Sequence, residues 1–322
     1  MTAKFGEAST ASDVLANVDL KGKRYLVTGI SSGIGLETAR SLVSQGATVI
    51  GAVRNLDKAR AATALIREST SESPGRLELI ELDLALLQSV RSCAHRLLDS
   101  GLPFDAFIAN AGVMATPFGT TVDGFETQFG INHLGHFALI RWIESLLVDG
   151  GRLVVLSSQA HRVADIDLED PNFERQAYDP FVAYGRSKTA NALFALEFDL
   201  RNRGRGIRAA SVMPGNSLTD LARHFSQEDL QSLFETVRKA RAGAGLPPPQ
   251  LKEIPQAAAT SVWAAVVADK DKIGGHYLED CAIAVTNDAP NPFADGVKKY
   301  ALDIDKAALL WSKSEELINA VI

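Results

Sequence analysis

Short β-branched runs alternate with longer amphipathic segments along most of the chain, and this alternation constrains the fold more than any other feature. Six runs are predicted to be strands: Arg24 to Val27, Thr48 to Val53, Arg76 to Leu82, Ala106 to Ala109, Arg152 to Leu156 and Ile207 to Val212. The segments between them are long enough for helices, and strand–helix–strand units of this kind build right-handed crossovers in a parallel sheet. The sequence therefore predicts an α/β fold with a Rossmann-like, doubly wound parallel sheet and helices on both faces.

A seventh strand is predicted at the edge of the sheet, at Gly274 to Leu278, after a helix from Pro255 to Ala268. The 322 residues exceed the usual domain size of about 100 to 200, but α/β domains extend to about 250 as one unit. We therefore expect a single domain with a seven-stranded sheet over residues 20–322, preceded by an N-terminal arm, residues 1–19.

Composition and charge argue against several classes of function. The net charge of -6 comes without the clustered Lys and Arg of a nucleic-acid-binding face. Two cysteines, Cys93 and Cys281, are too few for a disulfide framework or a zinc cluster and favour a reducing compartment. The start of the chain lacks the apolar core of a secretory signal, and no stretch approaches the roughly 18 apolar residues of a spanning helix. We expect a cytoplasmic protein with no integral membrane segment, no nucleic-acid partner and no metal.

A glycine-rich turn follows the first predicted strand, where residues 28–35 read Thr-Gly-Ile-Ser-Ser-Gly-Ile-Gly. Glycines here permit a tight reversal, close approach of phosphates and close packing of helix on sheet, while the helix N-terminus offers N–H groups to a pyrophosphate. The spacing differs from the commoner Gly-x-Gly-x2-Gly fingerprint, and alone it leaves a purely structural turn open. The residues of this turn expected to bind a dinucleotide are Gly29, Ser31, Ser32, Gly33, Ile34 and Gly35.

The next strand ends about 20 residues later at Arg54, where a doubly wound protein contacts the adenosine ribose. An acidic residue there would bind the 2′-hydroxyl of NAD, whereas Arg54 can pair with the 2′-phosphate of NADP. This favours NADP(H) over NAD(H). The alternative is a solvated arginine that opens a loop, and Ser32 adds no second charge.

Two further strand ends carry candidate cofactor contacts. Asp83, followed by Leu84, suits an acceptor for the adenine amine, and it suits a cap for the following helix equally well. Asn110, Ala111 and Gly112 end the fourth strand, and such small residues let the backbone pass beside a cofactor. All of these residues are expected at the same edge of the sheet as the glycine-rich turn.

Tyr184 and Lys188 lie four residues apart in a segment with helical periodicity, so their side chains share a face. A nearby ammonium group stabilises a phenolate and lowers the pKa of a tyrosine from about 10 towards the range of a general acid or base. As an isolated pair this spacing is also common on protein surfaces. Ser157 and Ser158 end the fifth strand, and Asn132 lies in the helical segment after Asn110.

These residues, in this order, resemble the short-chain dehydrogenases/reductases, from about Lys23 to Leu278. Residues 131–137 and the Ser-Ser-Gln-Ala-His run ending at His161 are similar to the retinol-dehydrogenase-like branch, whose members typically use NADPH on hydrophobic carbonyls. The positions that match the family are Thr28 to Gly35, Asp83, Asn110 to Gly112, Asn132, Ser158, Tyr184, Lys188, Pro214, Gly215 and Thr219.

The resemblance implies a role for each matching residue. Tyr184 would protonate the carbonyl oxygen as hydride leaves the nicotinamide, and Ser158 would hold that oxygen. Lys188 would bind the nicotinamide ribose and lower the pKa of Tyr184, while Asn132 would anchor a water that relays protons to Lys188. The cofactor contacts would include Pro214, Gly215 and Thr219, and the usual family arrangement is a homodimer through the two long helices around Asn132 and Tyr184.

The predicted function is hydride transfer between NADP(H) and a hydrophobic carbonyl or alcohol. The alternatives are reduction of the activated carbon–carbon double bond of an enone, and a non-catalytic role as an NADPH-binding sensor or scaffold. Two insertions, 164–180 and 218–249, are expected to form the substrate side of the pocket. The apolar residues in and beside them that favour a hydrophobic ligand are Phe173, Phe181, Leu221, Phe225 and Phe234.

Overall fold

The computed structural model describes residues 5–69, 74–217 and 227–321. Its centre is one sheet of eight strands among these residues. The strands are β1 (Arg24–Thr28), β2 (Thr48–Val53), β3 (Arg76–Glu81), β4 (Phe104–Ala109), β5 (Leu147–Leu156), β6 (Arg208–Met213), β7 (Tyr277–Glu279) and β8 (Ala282–Ile283). Their order is β3-β2-β1-β4-β5-β6-β7-β8, so the winding direction reverses between β1 and β4. A doubly wound sheet binds its ligand at such a reversal.

The parallel sheet that the alternation predicts is confirmed, with one difference in strand number. All pairs from β3 to β7 are parallel. The prediction of seven strands is corrected to eight, because β8 returns antiparallel to β7, with Ile283 opposite Leu278. Two residues with positive φ, Asp280 and Cys281, form the tight turn between them. A two-residue strand is too short to show a periodicity in the sequence.

Helices cover both faces of the sheet. The helices of the described residues are α1 (Ala11–Leu15), α2 (Gly33–Ser44), α3 (Leu56–Ala62), α4 (Ala64–Ser69), α5 (Leu87–Ser100), α6 (Thr127–Phe129), α7 (Gly135–Ile143), α8 (Pro180–Asn202), α9 (Gln227–Gly243), α10 (Ile254–Val262), α11 (Lys270–Ile273) and α12 (Ile304–Asn319). Two segments, Gly130–Leu134 and Trp263–Val267, are π-helical. None of the described helices is both long and apolar enough to cross a membrane.

Each face of the sheet has its own hydrophobic core. On one face α5, α7, α8 and α12 contribute residues such as Phe137, Phe194 and Trp311. On the other face α1, α2 and α10 contribute residues such as Leu15 and Leu42. Helix α1 lies within the expected N-terminal arm, and its Thr10–Asp13 capping box starts a turn whose apolar side is buried. The described part of the arm therefore packs on the domain.

The C-terminal helix α12 packs on α7 and α8. The ring of Trp311 lies 5.0 Å from that of Phe137 and 6.0 Å from that of Phe194. Arg201 of α8 lies over the same indole, 4.3 Å from its centre. These are the two long helices through which the family resemblance implies a homodimer. Helix α12 of the same chain covers one face of α7 and α8.

Candidate active site

The glycine-rich turn connects β1 to α2 as the sequence predicts. Gly29 and Gly33 have φ values of +75° and +58°, in the left-handed region that favours glycine. A Cβ at Gly29 would lie 2.9 Å from Ala111, and one at Gly35 would lie 2.4 Å from Nδ2 of Asn110. The loop after β4 therefore passes so close to the turn that side chains at these positions would clash.

The N-terminus of α2 is available to an anion. The helix begins at Gly33, and within the described residues Ser32 at the N-cap position makes no side-chain capping hydrogen bond. The first N–H groups of a helix have no partner inside the helix, and the helix dipole places partial positive charge there. Every residue of the turn except the buried Ile30 lines a cavity, so the residues present fit the pyrophosphate of a dinucleotide.

A cavity of about 670 Å³ extends from this turn across the carboxyl ends of the strands. Its walls contain all the predicted site residues that the structure describes, except Asn132. These residues are Gly29, Ser31, Ser32, Gly33, Ile34, Gly35, Arg54, Asp83, Leu84, Asn110, Ala111, Gly112, Ser158, Tyr184, Lys188, Pro214 and Gly215. Thr219 lies outside the described residues.

Asp83 does not cap the helix that follows it. Its Oδ1 accepts from the backbone N–H of Ala85 at 3.0 Å, whereas α5 begins at Leu87. The N–H of Leu87 instead donates to the carboxylate of Asp123 at 2.7 Å. Asp83 lines the cavity, and its role as an acceptor for the adenine amine stays a prediction.

Tyr184 is placed by the start of α8. Asp179 caps this helix by accepting from two backbone N–H groups, and Pro180 occupies its first turn. The tyrosine lies one turn further on and hydrogen-bonds to Ser158, which follows β5. Burial raises the pKa of Tyr184 to about 12, and the bond to Ser158 partly opposes this shift.

Lys188 lies one helical turn beyond Tyr184 on the same face. Its ammonium Nζ is 5.6 Å from the centre of the tyrosine ring and donates to the carbonyl of Leu156 at 3.1 Å. Burial lowers the pKa of Lys188 to about 8. The implied lowering of the tyrosine pKa by Lys188 is not found with the protein groups alone, because burial of the phenol has the larger effect.

Asn132 lies in the π-helical segment before α7, a deviation common at functional sites. Its side chain accepts from the N–H of Val113 at 2.8 Å and donates to the carbonyl of Val113 and to Ser187, both at 2.9 Å. A Cβ at Gly112 would lie 3.0 Å from Asn132 Oδ1 and 3.6 Å from Lys188 Nζ. Asn132 therefore lies behind the cavity wall and fixes the loop after β4.

The cavity also contains residues that the sequence analysis missed. Lys58 lines it four residues after Arg54, in the first turn of α3, as a second cation. Phe181 and Phe234 line it as expected from the insertions, but Phe173 instead packs on Tyr178 with ring centres 5.1 Å apart. Leu221 and Phe225 lie outside the described residues. Further lining residues are Met114, Val163, Leu233, Val237, Leu251, Pro292 and Phe293.

Comparison with known proteins places this architecture in a family. The model of the short chain dehydrogenases matches residues 23–230. The chain is 37% identical over 320 residues to short-chain dehydrogenase/reductase prx1 of Penicillium roqueforti, covering 96% of this chain and 90% of that protein.

Solved structures show the same relationship. The crystal structure of an uncharacterized protein from Mycobacterium paratuberculosis superposes with a TM-score of 0.71 at 34% identity, covering 97% of this chain and 98% of the other. The angucycline C-6 ketoreductase LanV with bound NADP superposes with a TM-score of 0.62 at 26% identity, covering 81% and 95%. With two thirds of its length matched by the family model and relatives aligned along nearly all of it, this chain belongs to the short-chain dehydrogenases/reductases.

Proposed function

We propose that the protein is an NADPH-dependent reductase of neutral, hydrophobic carbonyl compounds, within the retinol-dehydrogenase-like branch of its family. One observation carries the proposal. The hydroxyl of Tyr184, Ser158 and Lys188 meet in the wall of one cavity that the glycine-rich turn also lines. An acid, a hydrogen-bonding hydroxyl and a dinucleotide cradle are the parts that carbonyl reduction requires.

The chain's own residues would supply the proton and hold the substrate. When bound, NADPH supplies the hydride. With a pKa of about 12, Tyr184 keeps its proton at neutral pH and can donate it to the carbonyl oxygen. Ser158 would hydrogen-bond the same oxygen, and Lys188 would bind the nicotinamide ribose. The family resemblance supports these roles, which extend beyond the geometry itself.

The preference for NADP(H) is supported by two cations on one stretch of wall. Arg54 follows β2 and Lys58 lies in α3, and both are exposed and line the cavity. Asn55 between them caps α3 by accepting from the N–H of Lys58 at 2.8 Å, which fixes the start of the helix. Two cations at this end of the cavity suit the 2′-phosphate of NADP better than the 2′-hydroxyl of NAD.

The preference for a neutral, apolar substrate is supported by the distribution of charge in the cavity. Among the described residues, its charged side chains are Arg54, Lys58, Asp83 and Lys188, and all four are assigned to the cofactor. The rest of the wall is largely apolar, with side chains from the start of α8, from α9 and from the segment near Phe293. Burial of a charged substrate group against such a wall would be costly.

Isotope transfer tests the function directly. We would incubate the wild type and Tyr184→Phe with 4-deuterated NADPH and a panel of hydrophobic aldehydes, ketones and enones, and locate the label by mass spectrometry and NMR. Deuterium should appear on the carbinol carbon, and loss of the acid should lower kcat/KM by about 100-fold or more. Tyr178→Phe is the matched control, because that half-buried hydroxyl donates to the carbonyl of Thr116 outside the cavity wall.

Each other outcome contradicts a different part of the proposal. Full turnover by Tyr184→Phe would show that Tyr184 does not donate the proton. Deuterium on the β-carbon of an enone would establish double-bond reduction instead. Binding of NADPH without transfer of label to any compound would favour the sensor or scaffold role.

A further inference from the structure

A buried threonine hydroxyl ties the cofactor loop to a buried histidine. Thr28, the last residue of β1, accepts hydrogen bonds from the backbone N–H groups of Asn110 and Ala111, both at 2.9 Å. The same oxygen lies 2.9 Å from Nε2 of His136 in α7. Thr28 and His136 are at most 3% exposed, so these bonds form away from water.

The bonding pattern determines which nitrogen of His136 carries the proton. A hydroxyl has one hydrogen to donate and two lone pairs with which to accept. Because Thr28 accepts two N–H groups, its own hydrogen is left for His136, so Nε2 is the acceptor. The proton must then be on Nδ1, which lies 3.0 Å from the carbonyl oxygen of Asn132 and donates to it.

We propose that His136 is a positioning residue that joins the dinucleotide side of the active site to the proton-relay side. Through Nε2 it orients the Thr28 hydroxyl that holds the loop Asn110–Gly112. Through Nδ1–H it orients the backbone carbonyl of Asn132, whose side chain backs the same loop beside Lys188. The proposal rests on the proposed function, because it assigns both sides to one reaction.

The neutral state that this arrangement needs is favoured by the surroundings. Burial is the main cause that lowers the pKa of His136 to about 4; the bond to Asn132 opposes this shift, and the nearby charge of Lys188 contributes to it. A neutral imidazole has one donor and one acceptor nitrogen, which is what Thr28 and Asn132 require.

His133 provides a matched comparison three residues earlier. It is equally buried, but its Nε2 lies 2.8 Å from the hydroxyl of Ser314 in α12. That hydroxyl donates to the carbonyl of Leu310 at 2.8 Å, so His133 must donate through Nε2. Two neighbouring buried histidines are thus assigned opposite tautomers, and His133 bonds away from the active site.

The first test needs neither cofactor nor a variant. Long-range ¹H–¹⁵N correlation spectra of the imidazoles distinguish the two tautomers in the free protein. We expect an Nδ1–H pattern for His136 and an Nε2–H pattern for His133 at pH 7. An Nε2–H pattern for His136 would overturn the proposal, since that tautomer could not accept from Thr28.

The second test separates the two bonds of His136. In His136→Gln the side-chain oxygen can reach the place of Nε2, and in His136→Asn the side-chain nitrogen can reach the place of Nδ1. We expect His136→Gln to keep the NADPH Kd within about twofold while kcat falls by roughly tenfold. His136→Asn should show the reverse, with a Kd raised by roughly tenfold and kcat at saturating NADPH largely kept. His136→Leu can form neither bond, so its NADPH Kd should rise and its kcat should fall.

The control and the contrary result are both measured by the NADPH Kd and kcat. His133→Gln should lower the thermal unfolding temperature but leave the NADPH Kd and kcat at wild-type values. If all the His136 variants behave as His133→Gln does, His136 is only a core residue and the proposal fails. A wild type that binds NADPH but turns over no carbonyl contradicts the proposed function instead, while the tautomer and the Kd still report on the loop contact.

Discussion

At the scale of single residues, burial acts on the two reactive groups in opposite senses. It raises the pKa of Tyr184 to about 12 and lowers that of Lys188 to about 8, because it disfavours the charged form of each. A tyrosine that keeps its proton at neutral pH can act as a general acid. The protonation state of Tyr184 in the protein without cofactor therefore favours the proposed reductive direction.

Arg54 provides a test of cofactor preference. Removal of its charge in Arg54→Ala should raise the NADPH Kd by about 10- to 100-fold, the effect of losing a hydrogen-bonded charge pair, and leave the NADH Kd largely unchanged. Fluorescence titration with each cofactor measures both values. Arg60→Ala is the matched control, because this exposed arginine pairs with Asp57 on the same helix and does not line the cavity.

Equal weakening of both cofactors in Arg54→Ala would contradict a 2′-phosphate contact. A smaller loss of NADPH affinity in Lys58→Ala would show that the second cation contributes. The sequence analysis identified only Arg54 here, although Lys58 follows it by four residues. The sequence pattern indicates a strand end and a loop here, and only the start of α3 at Leu56 brings the two side chains to one wall.

The sequence predicted residues that lie at strand ends better than residues that act through others. Gly29 and Ser158 follow from their places in a repeated pattern, because parallel strands end at one edge of a sheet. Tyr184 follows from its four-residue spacing to Lys188 and from the family resemblance. The contact of His136 with Thr28 joins positions 108 residues apart. Such packing has no local signature in the sequence.

At the scale of elements, the strands were predicted to within a few residues, but the irregular helices were not. The π-helical turn at Gly130–Leu134 adds one residue to a helical turn, which the apolar pattern of the segment does not reveal. This turn determines where Asn132 points. The position of α12 was also missed, because an amphipathic pattern indicates that one face is buried but not which surface buries it.

Helix α12 should contribute strongly to stability through Trp311. This side chain is 3% exposed and packs on Phe137, Phe194 and Arg201. Trp311→Ala should lower the free energy of unfolding by about 3–5 kcal/mol, as for other large aromatic residues in a core. Leu309→Ala on the exposed side of the same helix, where the leucine is 62% exposed, should change it by about 0.5 kcal/mol or less. Chemical denaturation measures both.

The same helix bears on oligomeric state. A homodimer through the face of α7 and α8 that α12 covers would require a second copy to lie where α12 lies. Light scattering of the wild type should therefore give the mass of one chain, 34.5 kDa. A wild-type dimer that Trp311→Ala leaves intact would show that another surface forms the dimer. For the stability prediction, a decrease of only a few tenths of a kcal/mol in the free energy of unfolding of Trp311→Ala would show that α12 is loosely attached.

At the scale of the whole molecule, three buried histidines make the fold sensitive to acid. Burial lowers the pKa of His133 to about 3 and those of His136 and His161 to about 4, from 6.5. Between these values the unfolded chain binds more protons than the folded protein. Stability should therefore be fully present above pH 6.5 and fall with decreasing pH, by up to about 4 kcal/mol per pH unit near pH 5.

Urea denaturation at several pH values between 5 and 7 measures this slope. Burial raises the pKa of Glu126 and Glu279, and these carboxyls offset part of the loss at the acid end. His133→Gln removes one titrating group, so its slope should be smaller by about one proton, or 1.4 kcal/mol per pH unit. An unchanged slope would mean that His133 is not held neutral in the folded protein.

We propose that residues 20–322 form one domain, with the insertions 164–180 and 218–249 as parts of it. The cavity supports this, because its walls run from Thr28 near one end of the chain to Phe293 near the other. Unfolding in these experiments should then follow a single transition by fluorescence and by circular dichroism. Two separated transitions would show that residues 20–322 form more than one domain.

The order in which the chain contributes those walls has a consequence during synthesis. The residues predicted to contact the dinucleotide are all made by Thr219, whereas Pro292 and Phe293, which line the same cavity, are made much later. Under the proposed function, a ribosome would complete the cradle for the hydride donor before it adds these later residues of the cavity wall. The late residues would then help to separate the chemistry from bulk water.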